Sequence, residues 1–225
     1  DWSSDVCSSD LTTVHFGFSA VARTPERVTS DDGIVVLGGR SGSVVENRKF
    51  IAGGFSGIDH YTICDLEAAY RDDRFFVQGE ALCSTFATKE RPGVITNGEK
   101  TYNIDGSESV SFWGGYLVGS YMLRGKQRSY SNSGAAFSNV NNEVEPGGNV
   151  ELMIGASAID TQGYMGKAYE ALGAVNWYPN TAMMLGLSYT FTSFSKDAVA
   201  LGRLRSSSGD GLSYRTLQLR AQFVF

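Results

Sequence analysis

Apolar and polar residues alternate one by one along much of this chain. In "TLQLRAQFVF", at its C-terminal end, Leu217, Leu219, Ala221, Phe223 and Phe225 fall on one face and Gln218, Arg220 and Gln222 on the other. A sustained period of two predicts a β-strand with one apolar and one wet face. The pattern recurs upstream. "TAMMLGLSYTFTSF" sets Met183, Leu185, Leu187, Tyr189 and Phe191 against Gly186, Ser188, Thr190 and Thr192. "KAYEALGAVNWYPN" sets Tyr169, Ala171, Gly173, Val175 and Trp177 against Glu170 and Asn176. "GNVELMIGASAID" and "SFWGGYLVGSYMLRG" repeat it, the latter with Trp113, Leu117, Tyr121 and Leu123 on the apolar face. Two more strands meet at Arg71-Asp72-Asp73, with Leu66, Ala68 and Tyr70 on one and Phe75, Val77 and Ala81 on the other. Weaker strands are expected near 12–22, 33–40 and 46–53. About ten strands are predicted, and no helix.

The connections are unequal. Those near 71–73 and 179–181 are tight, and "YPNT" has suitable turn residues. Those near 88–107 and 195–212 are long, polar and rich in Gly and Ser. Short turns at one end and long loops at the other mark an outer-membrane barrel, whose strands need only about ten residues each. The stretch 125–147 breaks this rule: it is long but falls at the short-turn end, where a further strand is a possible explanation. Trp113, Tyr121, Tyr169, Trp177, Tyr178, Tyr189 and Phe225 sit near strand ends and fit aromatic girdles at the headgroups.

Composition narrows the field. The 225 residues carry 19 basic against 24 acidic side chains, a net −5, so no basic excess points to nucleic acid. Gly is frequent (27) and Pro scarce (4). No apolar run is long enough for a transmembrane helix. The opening "DWSSDVCSSDL" has neither the basic start nor the apolar run of a secretory signal. Its codons can be spelled as one frame of a common sequencing-library adapter. Residues 1–11 are therefore expected to be an adapter-derived artefact outside the fold, leaving 12–225 as the C-terminal part of a longer protein. Without Asp1, Asp5 and Asp10 the net charge is −2.

The ordered segments "LEAAY", "FVQGEAL", "FWGGYLVGSYMLRG", "RSYSNSGAAFSNV", "GNVELMIGAS", "AVNWYPN", "MLGLSY" and "LQLRAQFVF" resemble the C-terminal part of the phosphate-selective porin O and P family. The resemblance implies an all-β fold: an antiparallel transmembrane β-barrel of 16 strands, of which this chain would hold about the last ten. It implies a porin of the bacterial outer membrane, usually a homotrimer, through which small hydrophilic solutes or ions, phosphate or other anions among them, diffuse passively. It also makes Leu219, Phe223 and Phe225 resemble the terminal signal read by the barrel-assembly machinery. The partners would be the outer-membrane lipid bilayer, the permeating solutes and that machinery.

The family's pore-lining arginines and lysines do not map one by one onto this chain. Its wet face mixes Arg23, Arg40, Arg124, Lys167 and Arg220 with Asp65, Glu67, Glu80, Glu151 and Glu170. A ring of one sign selects ions and a balanced lumen does not, so solute passage carries over while the ion preference stays open. The pore-lining candidates are Arg124, Lys126, Lys167 and Arg220.

Little points to catalysis. The two histidines, His15 and His60, would have to serve any Ser-His-Asp triad, and no G-x-S-x-G occurs. No His and Cys spacing suits a metal, and the Gly runs "LGGRSGS" and "AGGFSG" lack the phosphate-loop lysine. No enzyme, cofactor or metal is expected. Cys64 and Cys83 share the apolar face of neighbouring strands. A turn centred on Asp72 opposes Cys64 to residue 80, so no disulfide is expected. The competing class is a secreted ligand-binding β-sandwich, which also alternates but buries both apolar faces against each other.

Long-read sequencing of the source locus tests the opening stretch. The codons for Asp1 to Leu11 should vanish, and the reading frame should continue upstream through further alternating strands to a signal peptide. A start codon directly before Asp1 would refute the adapter origin.

Overall fold

Alternation becomes pairing in the computed structural model, which describes residues 3–8, 12–25, 35–40, 49–88, 93–97, 100–104, 109–140, 143–162, 164–196, 198 and 211–223. Among these residues the fold is all-β and holds no α-helix. The strands are β1 (Ser3–Ser8), β2 (Thr13–Arg23), β3 (Val35–Arg40), β4 (Lys49–Ser56), β5 (Ile58–Arg71), β6 (Phe75–Thr88), β7 (Gly93–Asn97) and β8 (Lys100–Ile104). They continue with β9 (Ser109–Arg124), β10 (Tyr130–Ser131), β11 (Ala136–Phe137), β12 (Asn149–Asp160), β13 (Lys167–Asn180), β14 (Met183–Phe194) and β15 (Leu212–Phe223).

Nine of them form one antiparallel sheet in the order β1-β2-β5-β6-β9-β12-β13-β14-β15, with β1 and β15 as its open edges. The two faces differ as the alternation predicts. On the outer face Leu219 is 81 % exposed and Leu217 and Ile154 each 72 %, beside Phe16, Leu66, Leu117, Leu187 and Phe223. An exposed apolar surface this extensive is foreign to water-soluble monomers and suits lipid. A sandwich would cover it with a second sheet. The inner face carries His15, Glu67, Ser120, Glu151, Thr190 and Thr192, all at least half buried.

Eight of the expected strands are members of this sheet. The two expected near 33–40 and 46–53 are not. As β3 and β4 they form a separate four-stranded sheet with β7 and β8, which lie in the stretch expected to be loop. Both hairpins extend connections at the long-loop end, and β4 pairs with β7 through Gly54↔Thr96 to Ser56↔Val94. Local alternation identifies a strand but not the sheet it joins. The described residues between β9 and β12 add no spanning strand, only the short β10–β11 ladder. Ser3–Ser8, expected to lie outside the fold, pairs with β2 from Ser3↔Phe18 to Ser8↔Thr13. An open sheet edge offers a row of unpaired backbone groups and asks little of the sequence that completes it.

The β5–β6 turn corrects the cysteine register. Asp72 Oδ1 accepts from the backbone N–H of Arg74 (2.9 Å) and Phe75 (2.7 Å), an Asx turn. Arg71 therefore opposes Phe76, and Cys64 directly opposes Cys83. The expected offset between the two thiols is absent, because the turn centres beyond Asp73 rather than on Asp72.

Backbones approach closely between β6 and β9. A Cβ on Gly115 would lie 2.6 Å from the Glu80 carbonyl oxygen. Gly115→Ala should therefore part these strands and cost about 1–3 kcal/mol. Heat-modifiable electrophoretic mobility of the refolded full-length protein should show a lower melting temperature than wild type.

Candidate functional site

Polar side chains line the inner face between its apolar clusters, and the segment between β9 and β12 folds over it at the short-turn end. Residues 125–148 leave the sheet at the short-turn end after β9 and return to β12. Gly125, with φ 91°, makes the first bend. Gln127 then donates from its backbone N–H to the Asp73 carbonyl (2.8 Å) and from Nε2 to Ser120 Oγ (2.7 Å). This stitches the segment to both the β5–β6 turn and the inner face of β9. Met122, Val140 and Tyr178 form a dry contact beneath it.

The segment is pinned at two polar points. At the first, Glu151 on β12 is fully buried. Arg128 Nη2 donates to its Oε1 (3.2 Å), and Tyr178 Oη (2.8 Å) and Asn176 Nδ2 (3.2 Å) donate to Oε2. The Arg128 guanidinium also lies 4.3 Å above the Phe76 ring, a cation–π contact. A buried carboxylate is tolerable only when paired and hydrogen-bonded in this way. Tyr178, expected in the lipid-side girdle, is turned inward to serve it. It follows Trp177 by one residue, and successive strand side chains point to opposite faces.

At the second point, His15 on β2 bridges the sheet and the segment. Its Nε2 is 2.9 Å from Glu67 Oε1 and its Nδ1 is 2.9 Å from Tyr130 Oη. A carboxylate only accepts, so Nε2 donates to Glu67, and Nδ1 shares a second hydrogen bond with the Tyr130 hydroxyl. Burial, and then the Glu67 charge, push the Tyr130 phenol above its ordinary value. Phe137 closes the corner edge-on to Tyr130 (4.8 Å) and Phe76 (5.0 Å). Gly17 on β2 leaves the room that Glu67 needs: a Cβ there would meet the Glu67 side chain.

The four pore-lining candidates do not converge. Arg124, at the end of β9, donates to the Pro146 carbonyl. Lys126 is exposed at the start of the inward segment. Arg220 lies on the inner face of β15 opposite Gly186 and donates to Gln222 Oε1 (2.8 Å). Lys167 sits at the far end, paired with Asp160 at 2.6 Å. Asp65, Glu67 and Glu80 lie on the inner face of adjacent β5 and β6, with Glu67 directly opposite Glu80. The wall is thus mixed in sign, as its sequence suggests. Leu219 and Phe223 project from the outer face of β15, and Phe225 lies outside the described residues. Of the histidines, His15 is engaged by Glu67 and Tyr130, and His60 by Asp59 at 3.1 Å.

Sequence reasoning missed His15, Arg128, Tyr130 and Glu151 as one group. The sign available was the length of 125–147 at the short-turn end, together with Arg128 and aromatic residues inside it. Segments of 115 and 23 residues separate His15 from Tyr130 and Arg128 from Glu151, so no local period joins them.

The family model described as phosphate-selective porin O and P matches residues 4–225. No curated protein matches the chain. The family is one of channels rather than enzymes and implies an outer-membrane location in bacteria. An all-β antiparallel sheet with an apolar outer face and a polar inner face agrees with it. The chain belongs to the phosphate-selective porin O and P family, and its function is that of an outer-membrane porin through which phosphate and other small solutes diffuse.

Proposed function

We propose that the nine-stranded sheet is part of a closed, 16-stranded transmembrane barrel, and that residues 125–148 narrow its lumen from the short-turn side. The observation that carries this reading is the segment's position. It covers the polar face of the sheet, while the apolar face is left bare for lipid. Closure satisfies every backbone group across the hydrocarbon, including those on the two edges that are open here. The two pins hold the segment against the wall, and Arg128, neutralised by Glu151, serves structure more than ion attraction. Lys126, Arg124, Arg220 and Lys167 are the cations that face or flank the pathway. Leu219, Phe223 and Phe225 act as the assembly signal, and the barrels associate as trimers.

Planar-bilayer recordings of the full-length protein test the constriction. The Ser138 N–H donates to the Ser129 carbonyl (2.8 Å), so deleting Tyr130–Phe137 joins chain ends that already touch. Single-channel conductance should rise. An unchanged conductance would place the constriction elsewhere. Lys126→Glu with Arg220→Glu should lower the anion-to-cation permeability ratio, and no change would remove both from the pathway.

Arg128→Met tests the first pin. It leaves the buried Glu151 carboxylate without its cation, which costs about 3–5 kcal/mol. The urea midpoint for unfolding should fall, and Glu151→Gln in the same chain should recover part of it.

A further inference from the structure

We propose that Cys64 and Cys83 form a cross-strand disulfide on the lipid-facing surface, made while the chain is in the periplasm. The two are direct partners in the β5–β6 ladder. The ladder runs without a register shift from His60↔Ala87 to Arg71↔Phe76, so the pairing is held on both sides. Directly opposed residues of an antiparallel pair point to the same face, with Cα atoms about 4.5 or 5.5 Å apart. Both separations lie within the span of about 4.4–6.8 Å that a disulfide bridges. Both are free thiols in this structure, with exposed side chains that an oxidant can reach before insertion. Their row continues with Ala20 opposite Cys64 and Trp113 opposite Cys83, and neither neighbour lies between the two sulfurs.

The reaction needs an oxidant, and a periplasmic dithiol–disulfide oxidoreductase supplies one by class. The thiolate of one cysteine attacks a sulfur of the enzyme's disulfide, giving a mixed disulfide and freeing one enzyme thiol. The second cysteine thiolate then attacks the first cysteine's Sγ and expels the other enzyme thiolate. One S–S bond forms and one breaks. Two cysteine thiols are oxidised, and the enzyme leaves as its dithiol carrying the two protons. A membrane-inserted pair facing lipid is out of such an enzyme's reach, so the bond forms before insertion. The linked β5–β6 hairpin is then a preformed unit with its register locked. This inference rests on the outer-membrane reading, since a reducing compartment would keep both thiols free.

The test uses full-length protein recovered from outer membranes without reductant and alkylated in denaturant. Trypsin cuts after Arg71 and Arg74, separating Cys64 from Cys83. The peptides bearing Cys64 and Cys83 should be recovered joined, and should separate on reduction. In a host lacking the periplasmic oxidoreductase, both should be alkylated instead. Complete alkylation in the oxidising host overturns the disulfide and leaves the porin reading standing. Recovery of the protein outside the outer membrane overturns the porin reading itself. Copper–phenanthroline oxidation of detergent-solubilised protein then judges the geometry alone: rapid linkage supports it, and failure to link overturns it.

Discussion

No water reaches the hydrocarbon of a bilayer, so each peptide N–H and C=O within it must bond to a neighbouring strand. That single constraint orders the rest of this molecule. The ladders of the main sheet run without interruption through their middle reaches. Register shifts occur only near strand ends: at Ile58/His60, at Val150/Glu151 and at Trp177/Asn180. These positions lie where water or loop backbone can satisfy a displaced group. A bulge halfway along a lipid-facing ladder would strand one.

The same constraint leaves the side chains free to divide by face. With the backbone satisfied internally, a leucine facing lipid loses nothing, and alternation turns each strand into an apolar sheet surface on one side and a polar wall on the other. The polar wall can then bear what the apolar face cannot. Glu151 is fully buried on the inner face of β12. It is sustained because Arg128, Tyr178 and Asn176 all reach it, and Arg128 does so only because the 125–148 segment folds inward. The burial of one carboxylate and the path of a 24-residue connection are therefore one structural fact seen from two sides.

The two ends of the sheet show different solutions to chain connection. At the short-turn end Asp72 and Asn180 close tight turns with their own side chains. At the long-loop end, packing does the work. Ile58, Phe86, Val110, Phe112 and Met165 make a dry cluster, and Thr161 holds the β12–β13 connection by bonding the Gly166 carbonyl and the Met165 N–H. Beyond them β3, β4, β7 and β8 build a second sheet from two neighbouring connections. At the short-turn end it is the 125–148 segment that turns back over the inner face, held there by Gln127, Arg128 and Tyr130.

Much of this was legible in the order of residues alone. Period-two alternation marked the eight long strands and, for all but the one near 12–22, told which side was apolar, because side-chain direction along a strand is a local property. The ordered motifs from "LEAAY" to "LQLRAQFVF" pointed to the family. Contacts between distant parts of the chain were not legible. Cys64 meets Cys83 because of how Asp72 folds the turn; alternation restricts its partner to the apolar face but does not choose between Ala81 and Cys83. Tyr178 faces inward by alternation with Trp177, but only the tertiary structure set Glu151 within reach of its hydroxyl. The strands at 35–40 and 49–56 alternate like the others, yet pairing with 93–104 took them out of the main sheet. In each case the sequence by itself determined what a residue could face. Only the tertiary structure decided which partner stood there, because partner identity is set by register and chain path rather than by local pattern.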